Sequence, residues 1–494
     1  MKFKVFIALL LCVTVFTAFG AGGRQGGTSA GSSSAEDRSL SLCMSQIRYG
    51  YSADDAMMQA WVEVIEKATN TKITIDALPH NNMNEFLNVR FASGDYADII
   101  RPQQSWDMVS QYGMRGYIQP VTQYINNDPR FAPVKGIDLP YKANNEIFGI
   151  PTDAGNNKII WFRKDMADKY GLKLGDSMTT SEFVTELRKI NKNEVIPFSF
   201  PMFIVNFQIF YNFFGAWAGI KQDASGQYID GMQTNEMKEA ILWVKSLYDE
   251  GLMDREFITN DNNIMREKVF SGRAASSIDY TYRYTFLVNS SVTANASTDF
   301  IPVYTLKGPR GDFGNLNESY GEAMTLSVKN RNVPASMDII YWLFFTPEGR
   351  KLDALSVEGV HYDIVNRSLV PRPAAVAAGY AIEHQRLSSS WAQVPYQTLG
   401  FSFEGMSDSV MENLLKYSAI SNSQQYMGPM IKIPMGIAPL YDENIASYIA
   451  NEEEMATKIV LGTQTIDQAY ADYARFWASI RGDEMLRQLN SSRR

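Results

Sequence analysis

The sequence predicts an α/β fold, and three observations carry that prediction. From Ser39 onward, short apolar runs alternate with amphipathic segments at helical spacing, the pattern of strands and helices packed in layers. A length of 494 residues with 45% hydrophobic positions is ample for large cores without covalent staples. Two cysteines, Cys12 and Cys43, supply neither a disulfide framework nor a structural zinc site.

The first twenty residues, MKFKVFIALLLCVTVFTAFG, set Lys2 and Lys4 ahead of an uncharged apolar run from Val5 to Phe19. That run is short of the roughly 20 apolar residues a membrane span needs. Ala18-Phe19-Gly20 before Ala21 offers small residues for cleavage, so residues 1–20 read as a secretory signal peptide. Cys12 follows Leu9-Leu10-Leu11 inside the run, a poor site for lipid attachment. The expected product is a soluble exported protein, in the periplasm or at the outer face of the cytoplasmic membrane. Cleavage takes the net charge from −8 to −10 and leaves Cys43 as the one thiol. Residues 21–38 are Gly/Ser-rich and read as a flexible tether. Gly27-Thr28-Ser29-Ala30-Gly31 matches a G-x-S-x-G elbow there, but without the strand and helix that motif requires the match is accidental.

Residues 39–47 read as a strand that buries Cys43. Residues 54–69 form a helix, with Met57, Trp61, Val64 and Ile65 on one face behind Asp54 and Asp55. Residues 72–78 (KITIDAL) are a strand, 85–93 a helix ended by Gly94, and 97–100 a short buried strand. Residues 106–112 and 121–127 complete a β-α-β-α-β pattern up to about residue 150. A second alternation runs from 158 to about 300. It includes a helix over 180–191 capped by Thr180 or Ser181, a hairpin over 222–230 turning at Ser225-Gly226, and a helix over 236–248. From Arg350 the chain reads as mainly helical, closing with 467–480.

The 26 residues from Val195 to Ile220 carry no formal charge. Pro197, Pro201, Asn206, Gln208 and Asn212 argue against a membrane span, while Phe203, Phe207, Phe210, Phe214 and Trp217 recur as one helical stripe. Burial of each such ring is worth about 2–3 kcal/mol, a sufficient reason for a core helix. Trp217, between Gly215 and Gly219, falls at its end, facing core or cavity.

Forty-six Lys and Arg against 54 Asp and Glu leave no surplus to neutralise phosphates, so nucleic acid is not an expected partner. His80, His361 and His384 have no histidine at i+4, and neither a G-x-x-x-x-G-K loop nor a G-x-G-x-x-G turn occurs. No cofactor and no catalytic group is therefore assigned, although a Ser-His-Asp triad or a carboxylate pair needs no sequence adjacency. The positive feature is 8 Trp, 26 Tyr and 27 Phe, several among polar neighbours in loops. An aromatic face beside hydrogen-bonding groups suits a sugar ring, apolar on its C–H face and hydroxylated at its edge. On loop context the ligand-binding set is Trp106, Trp217, Asp279, Tyr280, Tyr282, Arg283, Trp391 and Tyr396.

Further segments carry a family resemblance. These are Phe91-Ala-Ser-Gly-Asp-Tyr-Ala-Asp-Ile-Ile100, Gly116-Tyr-Ile-Gln-Pro120, Gly149-Ile-Pro151, Trp161-Phe-Arg-Lys-Asp165, Tyr170-Gly-Leu172 and Thr179-Thr-Ser-Glu-Phe183. Leu247-Tyr-Asp-Glu-Gly-Leu-Met-Asp-Arg-Glu-Phe257, Phe270-Ser-Gly-Arg-Ala274 and Lys458-Ile-Val-Leu-Gly462 with Asp467 follow in order. The chain resembles the extracellular solute-binding proteins of ABC sugar importers, the long oligosaccharide- and alginate-binding type above all. The resemblance implies a two-lobed, type II (maltose-binding-protein-like) periplasmic-binding-protein fold with discontinuous lobes and a hinge. The first lobe is expected from 39–150 and 301–350, the second from 151–300 and 351–494. It implies a monomer that captures a carbohydrate and delivers it to ABC permease subunits, with structural roles for Arg163 and Asp165. Calcium-binding relatives carry an acidic loop where this chain has Ile190-Asn-Lys-Asn-Glu-Val-Ile-Pro197, so no calcium is expected there. Two other readings share these features: a secreted glycan-acting enzyme, and the same fold binding a peptide or other solute.

Overall fold

The computed structural model describes residues 38–45, 55–79, 83–102, 106–136, 141–152, 157–201, 204–312, 314, 316–317, 322–378, 380, 387, 399–403, 407–421, 433 and 435–492. The expected signal peptide, the tether as far as Asp37 with its Gly27–Gly31 motif, His80, Phe203, His384, Trp391 and Tyr396 lie outside the described residues.

The first sheet begins with β1 (Ser39–Ser45), which leads through α1 (Ala56–Thr69) to β2 (Lys72–Leu78). Asp55 caps α1 by accepting from the Met57 N–H at 2.8 Å, and Met58, Trp61, Val62 and Ile65 are buried. α2 (Met83–Ser93) returns to β3 (Ile99–Ile100), and α3 (Trp106–Met114) to β4 (Ile118–Gln119). α4 (Thr122–Asn127), the hairpin β5 (Lys142–Ala143) with β6 (Glu146–Ile147), and β7 (Ile150–Pro151) finish this half.

The chain then enters a second sheet with β8 (Asn157–Arg163), buried along its whole length. α5 (Lys164–Tyr170), β9 (Ser177–Thr179) and α6 (Thr180–Lys189) follow. The α6 cap is Thr179 rather than Thr180 or Ser181: its hydroxyl accepts from the Glu182 N–H while the Glu182 carboxylate accepts from the Thr179 N–H, a reciprocal box. α7 (Ile204–Asn212) buries Phe207 and Phe210, but stops well short of the end that the aromatic stripe predicts. Gln208 ends it by bonding Asn212 Oδ1 at 2.7 Å, the Ala216 carbonyl and the Ala218 N–H, while Gly215 takes φ 65°. Phe214 is therefore buried from a turn and Trp217 is half-buried in a loop. The hairpin β10 (Ile220–Gln222) and β11 (Tyr228–Asp230) turns on Asp223, which accepts from the Ser225 and Gln227 N–H groups.

α8 (Asn235–Asp249) and α9 (Asn262–Phe270) cover the sheet before β12 (Ser276–Tyr280), α10 (Tyr284–Thr293), β13 (Phe300–Val303), β14 (Thr305–Lys307) and β15 (Leu316–Asn317). Between α8 and α9 the Asp254–Phe257 segment builds a buried knot in which Lys268 Nζ donates to Asp254, Asn260 and Glu256 at 2.7–2.9 Å. β16 (Ala323–Ser327) returns to the first sheet, and α11 (Val333–Phe345) and α12 (Pro347–Leu355) pack against each other.

The sheet orders are β2-β1-β3-β16-β4, with β7 also on β16, and β12-β8-β13, with β15 also on β8. Sheet membership therefore changes between Pro151 and Asn157, and again between Asn317 and Ala323. Phe300–Val303, which spans the boundary expected at residue 301, pairs antiparallel with β8. Local sequence does not say which sheet an apolar strand joins. Residues 351–355 lie in α12, which packs on α11.

The described residues after Arg350 are mainly helical, and β17 (Tyr362–Val365), β18 (Ser368–Pro371) and β19 (Ser402–Phe403) add a small sheet. The helix Pro439–Leu461 lies on α8, followed by Ile466–Ser479 and one more helix, Gly482–Ser491, beyond the expected last segment. That helix locks onto β11, where Asn490 Oδ1 accepts from the Tyr228 N–H and its Nδ2 donates to the Tyr228 carbonyl.

Candidate functional site

β12 runs antiparallel to β8 and breaks into the turn Thr281–Arg283 before α10. Thr281 Oγ1 pins this turn by donating to the carbonyl of Asn157, the residue at which the chain enters the second sheet, at 3.1 Å. The turn sets Tyr280 and Tyr282 face to face, with ring centres 5.0 Å apart and planes 13° from parallel. The Lys158 ammonium sits 4.8 Å from the centre of the Tyr280 ring, and the Arg283 guanidinium lies 5.2 Å from Tyr282 and 5.6 Å from Phe286. Tyr280, Tyr282 and Arg283 are all half-buried, so the cluster keeps part of its surface open. Such cation–ring contacts are worth about 0.5–2 kcal/mol and stiffen the platform.

Asp279 is buried beneath the pair. Its two oxygens accept from Arg266 Nε and Nη2 at 2.7 and 2.9 Å, and one also accepts from the Tyr280 N–H at 2.8 Å. These bonds tie the end of β12 to α9 and hold Asp279 in place. Burial pushes the Tyr282 phenol above its ordinary range, with Asp279 and Glu322 adding to the rise against Arg283 and Arg266. Tyr282 is therefore a neutral hydroxyl at physiological pH.

Glu322 belongs to the other sheet, one residue ahead of β16, so the tyrosine platform lies within electrostatic reach of the first sheet. Arg101 holds Glu322 with Nη2 and Nε at 2.6 and 3.1 Å. Arg101 also reaches Thr152 Oγ1 at 3.5 Å, and Arg350 Nη1 donates to the Thr152 carbonyl at 3.0 Å. Asp353 accepts from both arginines at 3.5 Å. The last described residue before the crossing is thus clamped by the first half of the fold, and the first after it, Asn157, is tied to the tyrosine turn.

Four of the eight sequence-derived residues, Asp279, Tyr280, Tyr282 and Arg283, come together here. Trp217 lies elsewhere on the second half, its carbonyl pressed so close to Gly231 that any Cβ there would overlap it. Among the described residues no ring contact joins Trp217 to the tyrosine pair. Trp106 opens α3, its side chain beyond what is described, as are Trp391 and Tyr396. Sequence reasoning missed Lys158, Phe286 and Glu322. Phe286 stands four residues after Tyr282, a spacing that offered a signal. Lys158 meets Tyr280 only through strand register, and Glu322 only through the tertiary fold.

Among the described residues no group of three or more His, Cys, Asp or Glu is placed to hold a metal ion. Glu194 is occupied by Lys169 at 3.1 Å and by Asn191 Nδ2 at 2.8 Å. Arg163 is structural, donating to the carbonyls of Val269, Phe270 and Ala296 and pairing with Asp165. Cys43 is buried in β1, and burial, with Asp76 adding to it, pushes its thiol far above the range of a reactive thiolate. Burial lowers His361, whose Nδ1 accepts from the Val357 N–H, so it is a neutral core residue.

Two α/β halves, joined at a clamped crossing with an aromatic platform beside it, define a two-lobed solute-binding fold. The chain belongs to the bacterial extracellular solute-binding protein family, whose model matches residues 49–348, and the family is one of exported binding proteins. Over 227 residues it is 24% identical to a polygalacturonan/rhamnogalacturonan-binding protein of Bacillus subtilis (strain 168), covering 43% of this chain and 45% of that one. The chain spans about half the length of the curated relatives it matches. In three dimensions it is similar to an alginate-binding protein solved without calcium, with TM-score 0.65 and 19% identity, covering 93% of this chain and 98% of that one. An ABC-transporter substrate-binding protein of S. pneumoniae in complex with kestose gives TM-score 0.60 and 16% identity, covering 92% and 98%. At these identities the likeness establishes the fold.

Proposed function

We propose that this chain is the substrate-capturing component of an ABC-type importer. It holds an oligosaccharide between two lobes and hands it to membrane permease subunits, acting as a monomer in the periplasm or at the outer face of the cytoplasmic membrane. The first lobe is taken as 39–151 with 323–355, and the second as 157–317 with the helices from Pro439 to Ser491. The observation that carries the reading is the half-buried Tyr280–Tyr282 stack beside the crossing, with Glu322 of the other sheet within its field. The exposed surface of the rings packs against the C–H face of a sugar, and the phenol of Tyr282 and the cations at the rim hydrogen-bond its hydroxyls. The relatives named for alginate, kestose and polygalacturonan support the same ligand class.

A ligand closes such a molecule only through contacts it makes better in the closed form, so a sugar on the tyrosine platform must gain contacts to the first lobe. No covalent step is assigned, and the sugar is released unaltered. A thermal-shift screen against mono- and oligosaccharides, peptides and calcium tests this. A ligand at 100 times its Kd adds about 2.7 kcal/mol, readily resolved as a rise in Tm. A rise with an oligosaccharide recovered intact is expected. A rise with peptides alone, or hydrolysis of the sugar, overturns the reading.

A further inference from the structure

Arginines in this protein are consistently neutralised where they are not fully exposed. Arg266 is spent on Asp279, Arg101 on Glu322, Arg163 on Asp165, and Arg350 on Asp353. Even the exposed Arg273 is paired, with Glu267. Among the described arginines Arg283 alone is half-buried and pairs with no carboxylate. Its Nε is shut off from solvent without an acceptor, and its two terminal nitrogens make no hydrogen bond and stay open to solvent. Aromatic faces hold the group: the guanidinium carbon lies over both Tyr282 and Phe286.

A desolvated donor without a partner is costly, and a guanidinium braced by flat rings is preorganised for a planar anion. Among the described residues no carboxylate or other acceptor meets the two open terminal nitrogens, so the compensating group comes from outside. Its position decides what that group is: Arg283 follows directly on the tyrosine stack proposed to carry the sugar. We infer that Arg283 receives a carboxylate of the ligand, which makes the preferred cargo an acidic oligosaccharide built of uronic acids. This rests on the sugar-binding reading above and narrows it. The net charge of −8 disfavours anions at long range, but a bidentate guanidinium–carboxylate contact is short-range and acts regardless.

The test is calorimetric titration of the protein with tetragalacturonate, tetramannuronate and a glucuronate oligomer, each beside its methyl-ester counterpart, and with neutral malto- and fructo-oligosaccharides. At least one acid should bind about tenfold or more tighter than its ester. Arg283→Gln should abolish that ratio, so that acid and ester then bind equally, and Arg273→Gln should leave the ratio as in the wild type. Should Arg283→Gln fail to fold, salt dependence of the wild type decides: acid binding weakens from 50 to 500 mM salt and ester binding does not. Equal affinity for acid and ester, or a ratio that survives Arg283→Gln, overturns the inference. Binding of neutral sugars alone overturns it and leaves the sugar reading standing. Binding of no saccharide overturns both.

Discussion

Tyr282 and Glu452 show how the same physical force, burial, serves two ends. At Tyr282 it keeps a neutral hydroxyl on a half-buried ring, and Tyr282→Ala is expected to weaken oligosaccharide binding roughly tenfold, about 1.4 kcal/mol, with little change in Tm. Titration calorimetry measures it, and unchanged affinity would remove Tyr282 from the site. Glu452, on the helix Pro439–Leu461, is buried toward Asp230, Tyr448 and Tyr473, and desolvation followed by the Asp230 charge raises its carboxyl well above the ordinary range. Asp230 is also raised by burial, although Tyr448 and Tyr473 each donate to it at 2.9 Å. A raised carboxyl contributes stability that is full below the unfolded value of about 4.3 and is lost as pH climbs through the folded value. The Tm should therefore fall as pH rises above about 4.3, and Glu452→Gln should flatten that fall. A profile identical in wild type and variant would show that Glu452 does not titrate with folding.

Elements explain how much could be read from the sequence. The strand over 72–78 and the helix over 54–69 were legible because period-2 and period-3.6 patterns sit on chains with strong caps, Asp55 among them. The return crossing was not, since β13 pairs with β8 from 140 residues away and no local pattern encodes which edge is free. The stripe from Phe203 to Trp217 kept helical spacing across a helix that Gln208 and Gly215 had already ended. At the site, Tyr280, Tyr282 and Arg283 were legible as aromatics and a cation among polar neighbours, whereas the role of Asp279 was not. Its bond to Arg266 joins β12 to α9, and breaking a buried pair strands a charge. Asp279→Asn should destabilise the protein by about 3–5 kcal/mol, measured by urea unfolding, and a loss under 1 kcal/mol would favour Asp279 as a ligand contact.

At the scale of the whole molecule, named contacts hold both sides of the first crossing. Thr152 is gripped by Arg101 and Arg350, Asn157 is tied to Thr281, and residues 153–156 lie between them. Thr152 and Asn157 are each held by their own sheet's side, so closure is expected as a lobe rotation with each sheet unchanged. Small-angle X-ray scattering should give a smaller radius of gyration with a bound oligosaccharide than without, and an unchanged radius would remove closure from the mechanism.

The central claim is that the Tyr280–Tyr282 platform captures a saccharide without altering it. The most direct measurement is a calorimetric titration of wild type and the Tyr280→Ala/Tyr282→Ala double variant with whichever oligosaccharide raises Tm most, followed by mass spectrometry of the recovered sugar. One saturable site, an intact sugar, and binding lost in a variant that still folds are the predicted result. A cleaved sugar, or equal affinity in the two proteins, would contradict it.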